Sequence, residues 1–186
     1  PRKVAEFRTP ADLRRDLLAS IAEYRREQAE ILVADFDRDT FDPRTNFFTR
    51  LGHGSLGGKA RGLAFVRFLL NYHGVTRRFP GVQIGVPQAM VLATDLFDEF
   101  MARNDLLAYA MECSDNVALR ERFLAAHLPG EVLESLAVFL EGVHWPIAVR
   151  SSSLLEDSQY QPFTGVYDTF MLPNDADSLK DRLSQL

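Results

Sequence analysis

Apolar side chains recur at helical spacing along most of the chain. The first such stripe begins near Leu13 and continues to about Ala34, with arginines and glutamates on the opposite face. Before it, Thr9, Pro10 and Asp12 supply a cap, a first-turn proline and a first-turn acid, which predict where this helix begins. The same periodicity predicts further helices over residues 58–72, 94–100, 114–127 and 129–142.

Short apolar stretches between these helices predict strands. The stretch VQIGVPQAMVLAT predicts two short strands broken at Gly85 and Pro87, and residues 146–149 and 166–172 predict two more. The roughly 15 residues before the last strand have no clear periodicity, and long irregular loops of this kind are often lids or binding loops. We therefore expect an α+β unit with a mixed sheet and several covering helices.

The composition is that of an ordinary globular protein, since 46% of the 186 residues are hydrophobic and 25% are charged. A net charge of −5 disfavours general nucleic-acid binding, and no apolar run approaches the ~20 residues of a membrane span. Without a signal-peptide pattern, a cytoplasmic protein is expected. Because the chain starts at Pro1 and stops in an apparently helical stretch, we expect a piece of a longer polypeptide.

Metal and disulfide chemistry receive little support from the sequence. Cys113 is the single cysteine, and the four histidines show no metal-ligand spacing. The acidic run DFDRDTFDP, residues 35–43, lacks the glycine and the closing glutamate of a calcium loop, so a solvated linker is the better interpretation. Residues 1–45 are accordingly predicted to form an amphipathic helix and an acidic linker.

The strongest chemical signal runs from Phe47 to Leu63, FFTRLGHGSLGGKARGL. Four of the 11 glycines fall within residues 52–58, and Lys59 and Arg61 follow them. Glycines allow close approach of the backbone to a ligand, and the first turn of a helix presents N–H groups that favour an anion. A lysine in that turn opposes the helix dipole unless an anion lies beside it. The stretch therefore predicts a phosphate site.

Two known phosphate-loop patterns fit these letters incompletely. The Walker pattern GxxxxGK[ST] fails, because His53 replaces its first glycine and Ala60 replaces its hydroxyl residue. The dinucleotide pattern GxGxxG matches, but the acidic residue expected about 20 positions later is missing. Between Pro43 and Thr94 the chain carries seven basic side chains and no carboxylate, so basic charge is concentrated around the glycines.

A second candidate lies at the carboxyl end of the strand predicted over residues 146–149. Arg150 stands where ligands bind in open α/β sheets, although a salt bridge to Glu156 or Asp157 remains an open alternative. The following serines, residues 151–153, are hydrogen-bond donors suited to phosphate, and no hydrolase triad is legible around them.

Together these stretches resemble the nucleotide-binding part of phosphoenolpyruvate synthase and pyruvate phosphate dikinase, an ATP-grasp family. LGGKARGL is similar to the family's GGK followed by a helix of small residues, and IGVPQAMVLATDLFDEF resembles its VP-x-G-F strand and the helix that follows. IAVRSSSLLEDSQYQPFTGVYDTF is similar to the family pattern of VRSS, ED, F-x-G and a threonine. The resemblance predicts the N-terminal part of an ATP-grasp domain over residues 46–186.

The resemblance implies that Lys59 and Arg150 contact the ATP phosphates and serve in catalysis. It assigns nucleotide binding to these two residues together with Gly57, Gly58, Ser151, Ser152 and Gly165. The implied cofactors are ATP and Mg²⁺. In this family a phosphoryl group passes from ATP to a histidine on a separate domain and then to pyruvate, so this chain alone is expected to be inactive; a homodimer of the full-length protein is compatible with that chemistry.

Departures from the family pattern keep a second hypothesis open. Gln88 replaces the usual glycine of the VP-x-G-F strand, and residues 159–161 replace the acidic and small residues usual in the lid. The alternative to a phosphotransferase is a nucleotide-sensing or regulatory module that transfers no phosphate. A plain dinucleotide-binding domain is a third hypothesis, which the missing ribose-binding acid opposes.

Overall fold

A computed structural model of the chain describes residues 7, 9–18, 20, 33–75, 78–153 and 167–186. The chain divides into two compact units, one made of Pro1–Leu32 and Phe65–Val86 and the other of Val33–Ala64 and Pro87–Leu186. The second unit contains both sheets and most of the predicted site residues. The expected domain boundary after residue 45 stays a prediction.

Among the described residues the helices are α1 (residues 10–18), α2 (Gly57–Tyr72), α3 (Thr94–Arg103), α4 (Leu106–Glu112), α5 (Asn116–Leu124), α6 (Gly130–Gly142) and α7 (Leu179–Ser184). The strands are β1 (Ala34–Asp35), β2 (Phe48–Leu51), β3 (Ala89–Leu92), β4 (Ile147–Arg150) and β5 (Thr169–Leu172).

The first three strands form a parallel sheet with β2 at its centre. Phe48 of β2 lies opposite Ala89 of β3, which sets the register of that pair. Because the three strands run in one direction, their carboxyl ends meet at one edge, where Asp35, Leu51 and Leu92 are the last strand residues. This edge carries the chemistry described below.

A small core holds the first half of α2 against the parallel sheet. Ala60 and Ala64 lie one helical turn apart and are buried with Phe48 of β2. Small side chains on this face let the helix backbone approach the sheet closely. The start of α2 is thereby fixed beside the sheet.

A second core surrounds α6, whose residues Phe139 and Leu140 are buried together with Val143. The partly buried residues packed against it are Phe36, Phe41, Met90, Ile147, Leu179 and Leu183. These residues come from the 36–41 segment, β3, β4 and α7, so one core joins the parallel sheet to the antiparallel pair β4–β5.

The carbonyl groups at the end of α6 are satisfied by side chains from the carboxyl-terminal segment. Nη1 of the buried Arg182 donates to the Leu140 carbonyl oxygen at 3.0 Å and to that of Val143 at 3.3 Å. Nδ2 of the buried Asn174 also donates to the Val143 carbonyl, at 2.8 Å. A cation at a helix carboxyl end is favourable, so these contacts dock α7 onto α6.

Several predicted helices are confirmed, and their ends follow local capping. Thr9 caps α1, since its Oγ1 accepts the Asp12 N–H at 3.1 Å. Gly74 has a φ of +59° just beyond α2, as expected of a residue that ends a helix. The helix predicted over 114–127 is shorter: α5 begins at Asn116, because the Asp115 side chain caps it, and ends at Leu124.

Other sequence predictions were wrong in detail. Ala34 belongs to β1 rather than to the end of a long first helix. Only β3 forms within the stretch predicted to hold two strands, where Pro87 has no N–H for a ladder. The short helix α4 and the strands β1 and β2 were not predicted.

The combination of helices with two small sheets fits the predicted α+β class. The described strands form one parallel and one antiparallel sheet rather than a single mixed sheet. No helix in the described part of the chain combines the length and the apolar character needed to cross a bilayer.

Candidate functional site

The carboxyl edge of the parallel sheet begins with an ion pair between two neighbouring strands. Nε of Arg50 in β2 lies 2.5 Å from Oδ1 of Asp35, the last residue of β1. This hydrogen bond lowers the pKa of Asp35 and raises that of Arg50. The sequence alone predicts a solvated linker at Asp35, because a two-residue strand leaves no periodic signal.

The glycine loop, defined here as residues 52–56, connects β2 to α2 and is held by the start of α3. The N–H groups of His53 and Gly54 donate to the two carboxylate oxygens of Asp95 at 2.8 and 2.9 Å. The Ser55 N–H donates to Thr94 Oγ1 at 2.9 Å, and the Thr94 N–H donates back to the Ser55 carbonyl at 3.1 Å. The backbone hydrogen bonds, that from His53 foremost, lower the pKa of Asp95.

These contacts explain two of the glycines. A Cβ at Gly52, whose φ is +89°, would lie 2.6 Å from Asp95 Oδ1, and one at Gly54 would lie 2.5 Å from Thr94 Oγ1. Both distances are too short for carbon beside oxygen. Glycine is therefore required at these positions by the close approach of the protein's own side chains.

The start of α2 is held by a residue that follows β4. The Gly58 N–H donates to the Ser152 carbonyl at 3.0 Å, and the Ala60 N–H donates to Ser152 Oγ at 3.0 Å. Ser152 Oγ donates in turn to the Leu56 carbonyl at 2.8 Å. Gly57 has a φ of +76°, and a Cβ there would overlap the Ser152 carbonyl oxygen. Ser152 thus fits against α2 only because residue 57 is glycine.

The structure brings part of the predicted site together. Gly57 and Gly58 contact Ser152 directly, and Lys59 lies in the same helical turn, half-buried. Arg150 is exposed at the end of β4, two positions before Ser152. The neighbouring Ser151 bonds locally, its Oγ accepting the Ser153 N–H at 3.3 Å.

Two parts of the sequence prediction fall outside the described residues. Gly165 is one of them, together with residues 154–164 of the segment from Ser151 to Gly165, which the family resemblance implies closes over the ATP phosphates. The possible partners of Arg150, Glu156 and Asp157, are the other, so the salt-bridge alternative stays open.

The groups available to bind an anion differ from those that the sequence suggested. The backbone amides of His53, Gly54, Gly58 and Ala60 donate to acceptors of the chain itself. The nearby cations are the side chains of Lys59, Arg61 and Arg150, and Arg61 Nη2 donates to Ser55 Oγ at 2.9 Å. Basic side chains, more than backbone amides, therefore suit this site to an anion.

Sequence reasoning missed Thr94 and Asp95 as site residues. The pair reads as an ordinary helix start, and such a pair normally caps its own helix. In the structure the N-cap residue is Ala93, which has no capping side chain, and the Thr94 and Asp95 side chains reach the glycine loop. Among the described residues no three histidine, cysteine, aspartate or glutamate side chains gather as a metal site would require.

Comparison with protein families gave a match over most of the chain. Residues 53–185 match the family model described as pyruvate phosphate dikinase, AMP/ATP-binding domain. The matched range begins within the glycine loop and includes Lys59, Arg150 and Ser152. Neither the curated proteins nor the solved structures gave a match.

Proposed function

Because the chain belongs to the pyruvate phosphate dikinase AMP/ATP-binding domain family, we propose that it is the ATP-binding portion of a phosphotransferase like phosphoenolpyruvate synthase or pyruvate phosphate dikinase. The family match over residues 53–185 is the observation that carries this proposal. It covers residues 53–63 of the glycine-rich stretch, including Lys59, and all of the stretch around Arg150. No described feature favours the alternative of a purely regulatory module.

The proposed phosphate contacts are the side chains of Lys59 and Arg150. A triphosphate concentrates negative charge, and cationic side chains at hydrogen-bonding distance stabilise it more strongly than neutral donors do. Lys59 lies in the first turn of α2, where an adjacent anion would also relieve the unfavourable placement of a cation at a helix amino terminus. The absence of carboxylates from residues 43–94 supports the same location for the anion.

The proposed chemistry depends on positioning and on charge neutralisation. Mg²⁺ would arrive with ATP and neutralise part of the polyphosphate charge. The residues of this chain would bind and orient the phosphates while a phosphoryl group passes to a histidine of another domain, and from there to pyruvate. Pyruvate and a homodimeric assembly belong to this proposal at the level of the whole polypeptide.

Calorimetric titration of the chain with MgATP tests the proposal. Lys59→Ala and Arg150→Ala are each expected to weaken binding by about 1.5 to 3 kcal/mol, the range of a lost charge-assisted hydrogen bond, while the free energy of unfolding changes little. NAD serves as the control ligand and is expected not to compete.

Two exposed basic residues outside the site provide matched controls. Lys180→Ala on α7 and Arg120→Ala on α5 remove the same charges, and neither is expected to change the affinity for MgATP. If the control variants lose as much affinity for MgATP, the change in net charge alone would explain the effects of Lys59→Ala and Arg150→Ala. Unchanged affinity with a large loss of stability in Lys59→Ala and Arg150→Ala would assign those residues a structural role instead.

A further inference from the structure

The glycine loop is fixed at both ends by side chains from distant parts of the chain. Asp95 and Thr94 bind three consecutive amides, those of residues 53–55, and Ser152 binds two amides at the start of α2. Lys59 lies between the two amides that Ser152 binds and four residues after Ser55, the last amide held by Thr94. The position of its backbone therefore depends on both sets of contacts.

We propose that Asp95 and Thr94 are positioning residues of the nucleotide site, which hold the glycine loop in the conformation that presents Lys59 to the ATP phosphates. This inference rests on the proposed function. Neither residue needs to touch the nucleotide, since their contacts are with the loop backbone.

The carboxylate of Asp95 also determines where an anion can bind along the glycine stretch. Adjacent backbone N–H groups in a glycine loop form an anion-binding concavity, and Asp95 already fills the one made by residues 53 and 54. A phosphate at the same position would lose those donors and face a like charge. The phosphates are therefore directed to the end of the stretch that carries Lys59.

The arrangement of α3 supports a role directed at the loop. The helix has no capping side chain at Ala93, although Thr94 and Asp95 immediately follow it. Their oxygens accept hydrogen bonds from residues about 40 positions earlier in the chain. Gly52 and Gly54 leave the space into which these oxygens fit, so the glycine loop and the side chains of Thr94 and Asp95 are complementary in shape.

Substitutions at the two positions separate this role from simple packing. Asp95→Asn keeps the shape of the side chain but presents one acceptor oxygen and one NH₂ group to two amides, so one contact becomes unfavourable. Thr94→Val removes the oxygen that accepts the Ser55 amide, whereas Thr94→Ser retains it. Thr94→Ser is expected to keep the affinity for MgATP only if the hydroxyl oxygen, and not the methyl group, is the required part of the side chain.

The first measurement is the affinity of each variant for MgATP by calorimetry. Asp95→Asn is expected to weaken binding about tenfold or more, and Thr94→Val about fivefold, as expected for one lost hydrogen bond each. Thr94→Ser is expected to stay within about twofold of the wild type. Asp98→Asn, an exposed carboxylate on the same helix, removes the same charge and is expected to leave the affinity unchanged.

The second measurement reports on the loop without nucleotide. In ¹H–¹⁵N spectra the amide signals of His53 and Gly54 are expected to shift in Asp95→Asn and to stay in place in Asp98→Asn. Val132→Ala, in the buried face of α6, lowers stability away from the loop and is expected to retain both the amide signals and the affinity.

The outcomes separate the two proposals. Wild-type affinity in a folded Asp95→Asn variant, or an equal loss of affinity in Val132→Ala, would overturn the positioning role. If the wild type fails to bind MgATP, the proposed function fails. In that case the amide signals of His53 and Gly54 still test whether Asp95 holds the glycine loop. If these signals do not move in Asp95→Asn, the loop-holding role is also overturned.

Discussion

Asp35, at the end of β1, and Asp95, at the start of α3, both have pKa values below the ordinary value. For Asp35 the main cause is the hydrogen bond from Arg50. For Asp95 the causes are backbone N–H groups, His53 first, then Gly54 and those of Asp95 and Leu96 at the start of α3. A group with a lowered folded-state pKa binds protons less readily in the native state than in the unfolded chain. Its contribution to stability is present above the unfolded pKa and is lost as the pH falls through the folded value.

The free energy of unfolding is therefore expected to fall as the pH drops below about 4, the ordinary pKa of an aspartate. Asp95→Asn cannot titrate and should show a shallower loss in that window than the wild type. Urea unfolding at pH 6, 4 and 3 measures both curves. Parallel curves for the two proteins would mean that the loop contacts do not depend on the charge of Asp95.

Gly57 and Gly62 lie in the same helix but have opposite requirements. An alanine at position 57 would have to keep a positive φ, and its Cβ would overlap the Ser152 carbonyl oxygen. A Cβ at position 62 meets nothing within 4 Å. Gly57→Ala is expected to lower the free energy of unfolding by about 2–4 kcal/mol, through strain and lost hydrogen bonds. Gly62→Ala is expected to raise it by about 0.5–1 kcal/mol, because alanine is the better helix former.

Chemical denaturation of these two variants beside the wild type measures the difference. A small effect of Gly57→Ala would mean that Ser152 can leave the start of α2 at little cost. The same substitution at two sites of one helix controls for helix propensity.

The elements that the sequence predicted well are those with local signals. Helices α1, α2 and α6 follow from apolar periodicity and from caps such as Thr9 and Gly74, which act within a few residues. The strands β1 and β2 were missed because two to four residues show no period and their parallel partners lie 15 and 41 positions away.

The candidate site also has one part with a local sequence signal and one part without. Glycines followed by Lys59 form a local pattern, which the sequence displays directly. That Asp95 and Ser152 occupy the amides of this pattern follows from contacts over 41 and 94 positions respectively, which no local pattern encodes. From residue 53 onward, the stretch that sequence reasoning selected for phosphate binding lies within the family match. Sequence reasoning assigned its amides to a ligand, whereas in the structure Asp95 and Ser152 accept hydrogen bonds from them.

At the scale of the larger unit, the core around α6 joins segments that are far apart in the chain. Leu140 is fully buried there, and partly buried side chains from β3, β4 and α7 pack against this core. Arg182 binds the Leu140 carbonyl and ties α7 to the same helix. Loss of this core should therefore weaken both sheets together.

Leu140→Ala is expected to lower the free energy of unfolding by about 2–5 kcal/mol, since it removes transfer energy and leaves a cavity. Leu124→Ala, at a position 75% exposed, is the matched control and should change it by less than about 0.5 kcal/mol. Urea unfolding followed by circular dichroism and by fluorescence of Trp145, the single tryptophan, measures both. If the unit unfolds cooperatively, the urea midpoints reported by circular dichroism and by fluorescence shift together in Leu140→Ala. A shift in the fluorescence midpoint alone would mean that the region around β4 unfolds separately from the sheet that carries the glycine loop.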